Sequence, residues 1–160
     1  MKHRPFAVAF LVLASMGQPV CAAEDSKIPY FASMKGETTN MREGPSDANR
    51  VKWVYHRKGL PVEVIAKFEA WRRVRDMDGE VGWIHVALLS RERMAVIRGE
   101  GQAAVRDRLD AKSDLVAEAK PGAVGQLEHC GPVACEVKFD GAKGWVDRGR
   151  LWGVHDGEKF

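Results

Sequence analysis

The feature that most constrains the fold is an internal repeat, because a period of this length makes each unit one small structural module. Met41-Arg42 recurs as Val105-Arg106, 64 residues later. Gly59 recurs as Gly122 and Val74 as Val137, at an offset of 63. Asp78-Gly79, Gly82-Trp83 and Leu89 recur as Asp140-Gly141, Gly144-Trp145 and Leu151, at an offset of 62. The offset shrinks in order, one residue at a time, and each step falls in a turn-rich stretch. Homologous units drift in this way, since loops tolerate deletions. The units run over residues 30–93 and 94–154 of the 160. At about 60 residues each, they lie near the lower limit for a self-standing core.

Both units read as all-β. Glu37–Arg42 is a short strand before a Gly44-Pro45-Ser46 turn. Leu60–Phe68 alternates, with Leu60, Val62 and Val64 on one side. Trp71–Asp76 leads through Asp78-Gly79 into Val81–Ile84, and a D-G pair between two such runs is a strong hairpin signal. The second unit repeats this as Glu136–Phe139, Asp140-Gly141 and Ala142–Val146. No segment after residue 23 sustains a helical period over three turns. Val86–Leu89 and Arg148–Leu151 read as single helical turns. Short strands with close turn signals give a small barrel or sandwich, and closing the sheet removes exposed edges.

The N-terminus reads as an address. Lys2, His3 and Arg4 are positive, Phe6–Ala14 is a run of nine apolar residues, and Gly17 and Pro19 follow. Val20-Cys21-Ala22 or Cys21-Ala22-Ala23 offers small residues for cleavage, so residues 1–23 are expected to be a secretory signal and the mature protein periplasmic. The apolar run is too short to span a bilayer, which takes about 20 residues. Val20 and Gln18 fit the lipoprotein pattern poorly, which counts against acylation of Cys21. Cleavage removes Lys2 and Arg4 and no acid, leaving 23 basic against 22 acidic residues, so the net charge falls from +3 to +1. A near-neutral body carries neither the footprint of a nucleic-acid binder nor a polybasic case for anionic membranes, and no membrane span remains after cleavage.

Cys130 and Cys135 survive cleavage, an even number in an oxidising compartment. Gly131-Pro132 between them reads as a turn and their flanks as strands. They are expected to face each other across a hairpin as a structural disulfide worth roughly 2 kcal/mol. Two free thiols remain the alternative. A redox CxxC pair has two intervening residues rather than four, and a zinc site takes about four ligands.

Asn40-Met-Arg-Glu-Gly-Pro-Ser46, Gly59-Leu-Pro-Val-Glu-Val-Ile65, Trp71-Arg-Arg-Val74, Asp78-Gly79, Gly82-Trp83-Ile84 and Leu88-Leu89 stand in an order that resembles the bacterial Src-homology-3 (SH3b) family. Its pattern is N-x-R-x-G-P followed about 40 residues later by G-W-[IV]. The second unit is degenerate: it keeps Val105-Arg106 and Gly144-Trp145-Val146 but has Asp107-Arg108 in place of Gly-Pro. The whole is similar to the tandem, secreted subfamily of small periplasmic proteins. The resemblance covers about residues 30–154 and implies two SH3-like barrels of five to six strands, with residues 155–160 as a tail. It also implies binding of a peptide or cell-wall peptide, by fold-level analogy.

Aromatic side chains supply flat apolar area for such binding. Trp53 and Tyr55 lie two apart, on one face of an extended chain, and Trp71 opens the hairpin strand. With Glu43 and Asp47 of the long loop they form the candidate groove of the first unit. Packing into the core is the competing role for each aromatic. Trp83 and Trp145 recur in both units and are assigned to structure. Near the places of Trp53, Tyr55 and Trp71 the second unit has Val116 or Ala117 and Ala134. Aromatic logic therefore makes unit one the binder and unit two a scaffold. Arg50, Lys52, Arg57, Lys58, Arg72, Arg73 and Arg75 cluster in unit one, either as a solvated face or as a patch for acidic partners.

No catalytic motif accompanies the four histidines His56, His85, His129 and His155, and both mature cysteines are assigned to a bridge. No enzyme activity, cofactor or metal is expected. Two functions stand. One is a non-catalytic periplasmic module for peptidoglycan stem peptides or an envelope protein. The other is a structural or regulatory accessory that docks through a flat β face without a peptide groove.

Overall fold

A computed structural model describes residues 27–110 and 112–160. The predicted export signal, with Cys21, lies outside the described residues. The described residues fold as fourteen strands in two tandem barrels. The first holds β1 (Tyr30–Met34), β2 (Thr39–Arg42), β3 (Val51–Tyr55), β4 (Pro61–Phe68), β5 (Trp71–Arg75), β6 (Val81–His85) and β7 (Leu89–Ser90). The second holds β8 (Met94–Ile97), β9 (Ala103–Arg106), β10 (Leu115–Ala119), β11 (Val124–Cys130), β12 (Ala134–Phe139), β13 (Ala142–Asp147) and β14 (Leu151–Trp152). The strand order is β3-β2-β6-β5-β4-β1-β7 in one and β10-β9-β13-β12-β11-β8-β14 in the other, so the two share one topology. Seven strands per sheet exceed the five to six implied by the resemblance; β7 and β14 are two-residue strands that follow the single 3-10 turns at Val86–Leu88 and Arg148–Arg150.

Alternation builds the cores. Met34, Met41, Val62, Val64, Val74 and Ile84 fill barrel 1, and Ile97, Val105, Leu127, Val137, Val146 and Leu151 fill barrel 2. The repeated Gly-Trp pair has a steric cause. A Cβ on Gly82 would stand 2.5 Å from Met41 Cγ, and one on Gly144 would stand 2.9 Å from Val105 Cγ1. A side chain here would collide with the strand that crosses it, while the next residue, Trp83 or Trp145, pairs with Arg42 or Arg106.

The alternation of β4 fails at Pro61 and Glu63, both buried beside Val62 and Val64. Glu63 should face solvent between Val62 and Val64, yet it is buried. Its face meets the second barrel. Arg75 Nε donates to its carboxylate at 3.0 Å and His155 Nε2 lies 2.9 Å from Oε1. Phe31 meets Trp152 edge-on at 5.2 Å, Trp152 Nε1 donates to the Pro61 carbonyl at 3.3 Å, and Arg57 reaches the Gly122 carbonyl at 2.7 Å.

Residues 155–160, which the sequence leaves as a plain tail, fold back on barrel 2. The Cys130 amide donates to the Phe160 carbonyl at 3.0 Å, and buried Arg148 donates to the carbonyls of His155, Glu158 and Gly131. Burial pushes the Glu158 carboxyl up, but the Arg93 guanidinium and the His155 N–H outweigh it and hold the group below its ordinary value.

Candidate binding site

Trp53 and Tyr55 lie together, as their spacing predicts. β3 pairs with β2 alone, Trp53 opposite Met41 and Tyr55 opposite Thr39. The two rings stand 6.5 Å apart. Their exposure differs: Trp53 is 53% exposed and Tyr55 is buried. The Tyr55 hydroxyl donates to Asp76 Oδ2 at 2.7 Å. Asp76 Oδ1 accepts the amides of Asp78 at 3.0 Å and Glu80 at 2.8 Å, which pins the β5–β6 turn. Burial, reinforced by the Asp76 carboxylate, pushes the Tyr55 phenol far above its ordinary range. These groups border a slot of about 160 Å³, with Leu60, Pro61 and Met77 as apolar walls and Val96 of barrel 2 as part of its lining.

Trp71, Glu43 and Asp47 do not join this slot. β5 separates Trp71 from Asp76 by five residues, roughly 16 Å of extended chain. Trp71 is buried at the opposite end and meets His85 edge-on at 5.3 Å. Glu43 binds Arg50 at 2.7 Å, and Asp47 stands 3.7 Å from Arg42 in the loop after β2. The five candidate residues therefore divide between two ends of barrel 1. The basic cluster divides too: Lys52 pairs with Glu80, Arg75 with Glu63, and Arg57 and Arg72 donate to backbone carbonyls.

Register supplies the comparison with barrel 2. Met41 opposite Trp53 matches Val105 opposite Ala117, and Thr39 opposite Tyr55 matches Ala103 opposite Ala119. Trp71 opposite His85 matches Ala134 opposite Asp147. All three aromatics are alanine in barrel 2, and space opens at both ends. Near Ala134 lies a cleft of about 240 Å³ with Trp145, Leu109, Val133, Arg106 and Arg108 in its walls. At the other end a hollow of about 410 Å³ is bordered by Ala117, Ala119, Ala123 and Phe139. Loss of aromatic bulk thus makes room in the unit that the aromatic logic leaves as a scaffold. The signal available in the sequence was the alanine at each repeat-equivalent position.

The cleft is held by backbone and side chains together. Leu109 is 46% and Val133 62% exposed, so each loop presents an apolar tip. Cys130 and Cys135 pair across β11 and β12 and are joined, with their Cα atoms 4.1 Å apart. That bridge closes the base of the loop carrying Val133. Arg106 donates to the Ser113 carbonyl at 2.7 Å, and Arg150 donates to the carbonyls of Arg98, Glu100 and Gly101. Asp147 Oδ1 caps the following turn by accepting the Gly149 amide at 2.7 Å. The walls thus carry both signs of charge over an apolar floor. Among the described residues, no three His, Cys, Asp or Glu side chains converge in a metal-ligand cluster.

The family model for the bacterial SH3 domain matches the chain twice, over residues 35–91 and 99–153. The chain belongs to the bacterial SH3 domain family. Bacterial SH3 domains are in general non-catalytic binding modules. No curated protein matches this chain. Among solved structures it is similar to NlpC2 from Trichomonas vaginalis, at 10% identity and a TM-score of 0.36, over 79% of this chain and 49% of that one. NlpC1 from the same organism matches at 11% identity and 0.36, over 81% and 48%. An NlpC/P60 family protein from Bacillus cereus matches at 13% and 0.35, over 79% and 57%. The chain spans about half the length of these structures. Among the described residues no helix is long and apolar enough to cross a membrane.

Proposed function

We propose that this protein is a non-catalytic binding module of the cell envelope, exported by residues 1–23, whose second SH3 barrel holds a peptide. The cleft beside Ala134 carries the reading. It has an open apolar floor at Trp145, apolar tips at Leu109 and Val133, and both Arg and Asp side chains in its walls. A mixed-sign wall suits a peptide that carries carboxylates and amines, as peptidoglycan stem peptides do, better than a polyanion. An extended segment of an envelope protein fits the same description. The two barrels, residues 30–93 and 94–154, then divide the work, with barrel 1 supporting barrel 2 through the Glu63 and Trp152 contacts.

The test is retention on purified sacculi, compared between the wild-type protein and Ala134→Trp, which restores the bulk found in barrel 1. Loss of retention in the variant is the expected result. Retention unchanged by the filled cleft would contradict the site, and no retention of either protein would contradict a wall ligand.

A second reading has its own observation. Trp53 and Val54 are exposed on β3, which ends its sheet, and Leu115 and Val116 are exposed on β10, which ends the other. Such faces suit an accessory that docks on an envelope protein without a peptide groove. Capture of a partner that survives Ala134→Trp but not Val54→Lys would favour it.

A further inference from the structure

The slot at the other end of barrel 1 is separate from the cleft, and its chemistry is more specific. Its volume is about 160 Å³. That is room for one extended side chain, and well below the roughly 300 Å³ at which small-molecule pockets begin. The walls near the mouth are apolar and aromatic: Leu60, Pro61, Met77 and the half-exposed ring of Trp53. The inner wall carries the Asp76 carboxylate, 7% exposed.

Asp76 meets three neutral donors, the Tyr55 hydroxyl and the amides of Asp78 and Glu80. A carboxylate offers about four acceptor sites, so one remains, on the Oδ2 that Tyr55 shares. Among the described residues no Lys or Arg pairs with Asp76. The neighbouring acids differ. Glu80 is neutralised by Lys52 at 2.8 Å, whereas Asp78 stands at the slot with no such partner among the described residues. An aliphatic passage with an aromatic mouth and a negative inner wall matches a cation on a flexible apolar stem.

The repeat gives an internal control. In barrel 2 the equivalents of Trp53, Tyr55 and Asp76 are Ala117, Ala119 and Phe139, and the hollow there is wider, with Asp140 as the counterpart of Asp78 and with Glu118 and Lys120 also on its border. The aromatic mouth and the buried carboxylate are therefore particular to barrel 1, not consequences of the fold. Val96 of barrel 2 lies in the lining, so the slot is complete only with both barrels present.

We propose that this slot takes a lysine-type side chain, an ammonium on an unbranched stem, from a peptide partner. The stem lies against Trp53, Leu60 and Met77, and the ammonium faces Asp76 Oδ2 and Asp78. The proposal does not depend on a ligand in the barrel 2 cleft.

The experiment follows the tryptophan indole N–H signals of the full mature chain during titration with N-acetyl-Ala-Lys-Ala-amide, and with the same peptide carrying norleucine in place of lysine. The lysine peptide is expected to move the Trp53 signal, and norleucine to bind at least about fivefold more weakly, the worth of an exposed cation–aromatic contact with its carboxylate partner. Asp78→Asn should weaken the lysine peptide about threefold, and Trp53→Ala about tenfold, with the other indole signals in place to confirm folding. Added salt should weaken the lysine peptide and leave norleucine unaffected. Equal binding of norleucine, or a Trp53 signal that stays fixed throughout, would overturn the proposal. Movement of Trp145 alone would overturn it too, while leaving the cleft reading intact.

Discussion

Barrel 1 and barrel 2 share strand order, register and turn positions, and differ at their ends. Barrel 1 places Trp71 at one end and Trp53 with Tyr55 at the other; barrel 2 places Ala134, Ala117 and Ala119 at the same registers. The cores inside hardly differ in kind: both rest on Val and Ile, joined by Met34 and Met41 in barrel 1 and by Leu127 and Leu151 in barrel 2. The repeat thus preserves what closes the sheet and varies what fills its mouths. A duplicated small barrel can keep its topology while one copy gains internal support and the other gains space. Barrel 2 has a compensating brace that barrel 1 lacks, the Cys130–Cys135 bridge, together with a C-terminal strap through Arg148 and Phe160.

The largest expected effect breaks the barrel 1 end. Trp71→Ala should cost about 3–5 kcal/mol in urea unfolding, as for a buried aromatic, because nothing in barrel 1 replaces the ring. Ala134→Trp adds bulk at a buried residue that borders an open cleft and should cost less, about 1–3 kcal/mol. Similar costs for the two would remove the distinction between a filled and an open end. Next in size is the brace. Replacing Cys130 and Cys135 by serine should cost roughly 2 kcal/mol, with lost hydrogen-exchange protection confined to β11 and β12. Thiol counting on the protein purified without reductant should find neither Cys130 nor Cys135 free; two free thiols would contradict the pairing.

Tyr55→Phe should cost about 1–2 kcal/mol, since it leaves buried Asp76 one donor short. The matching site, Ala119, has no such bond to lose. A smaller effect appears in acid. Glu158 is held below its ordinary 4.5 in the folded chain, so it contributes stability that is fully present above about pH 4.5 and is lost as pH falls through the lower folded value. The amide of Cys130, bonded to Phe160, should then lose exchange protection before the amides of barrel 1; simultaneous loss would argue against a strap local to barrel 2. Smallest is Trp53→Ala, expected within about 0.5 kcal/mol of wild type, because its ring is half in solvent.

The fold was legible because its determinants are local and repeated. Asp78-Gly79 and Asp140-Gly141 mark hairpins, Gly82 and Gly144 mark strand crossings, and alternation marks the strands between. The candidate site was legible only in part. Spacing placed Trp53 and Tyr55 on one face, since that needs only the strand period. It could not separate them from Trp71, because that depends on which end of β5 Tyr55 reaches across the barrel, and it reaches Asp76. Nor did residue type reveal the barrel 2 cleft: an alanine carries no chemistry of its own, and its effect is the volume it leaves to Trp145 and Val133. The burial of Glu63 was not legible for a related reason, since alternation reads one sheet and not the barrel packed against it.

The most direct measurement is a titration of the mature protein with a purified digest of peptidoglycan stem peptides, read at the indole N–H signals of Trp53, Trp71, Trp83, Trp145 and Trp152. Trp145 should move first and saturate, with Trp71 fixed, and Ala134→Trp should abolish the response. Movement of Trp71 or Trp83 with Trp145 fixed would place the peptide on barrel 1 and contradict the assignment of open and filled ends.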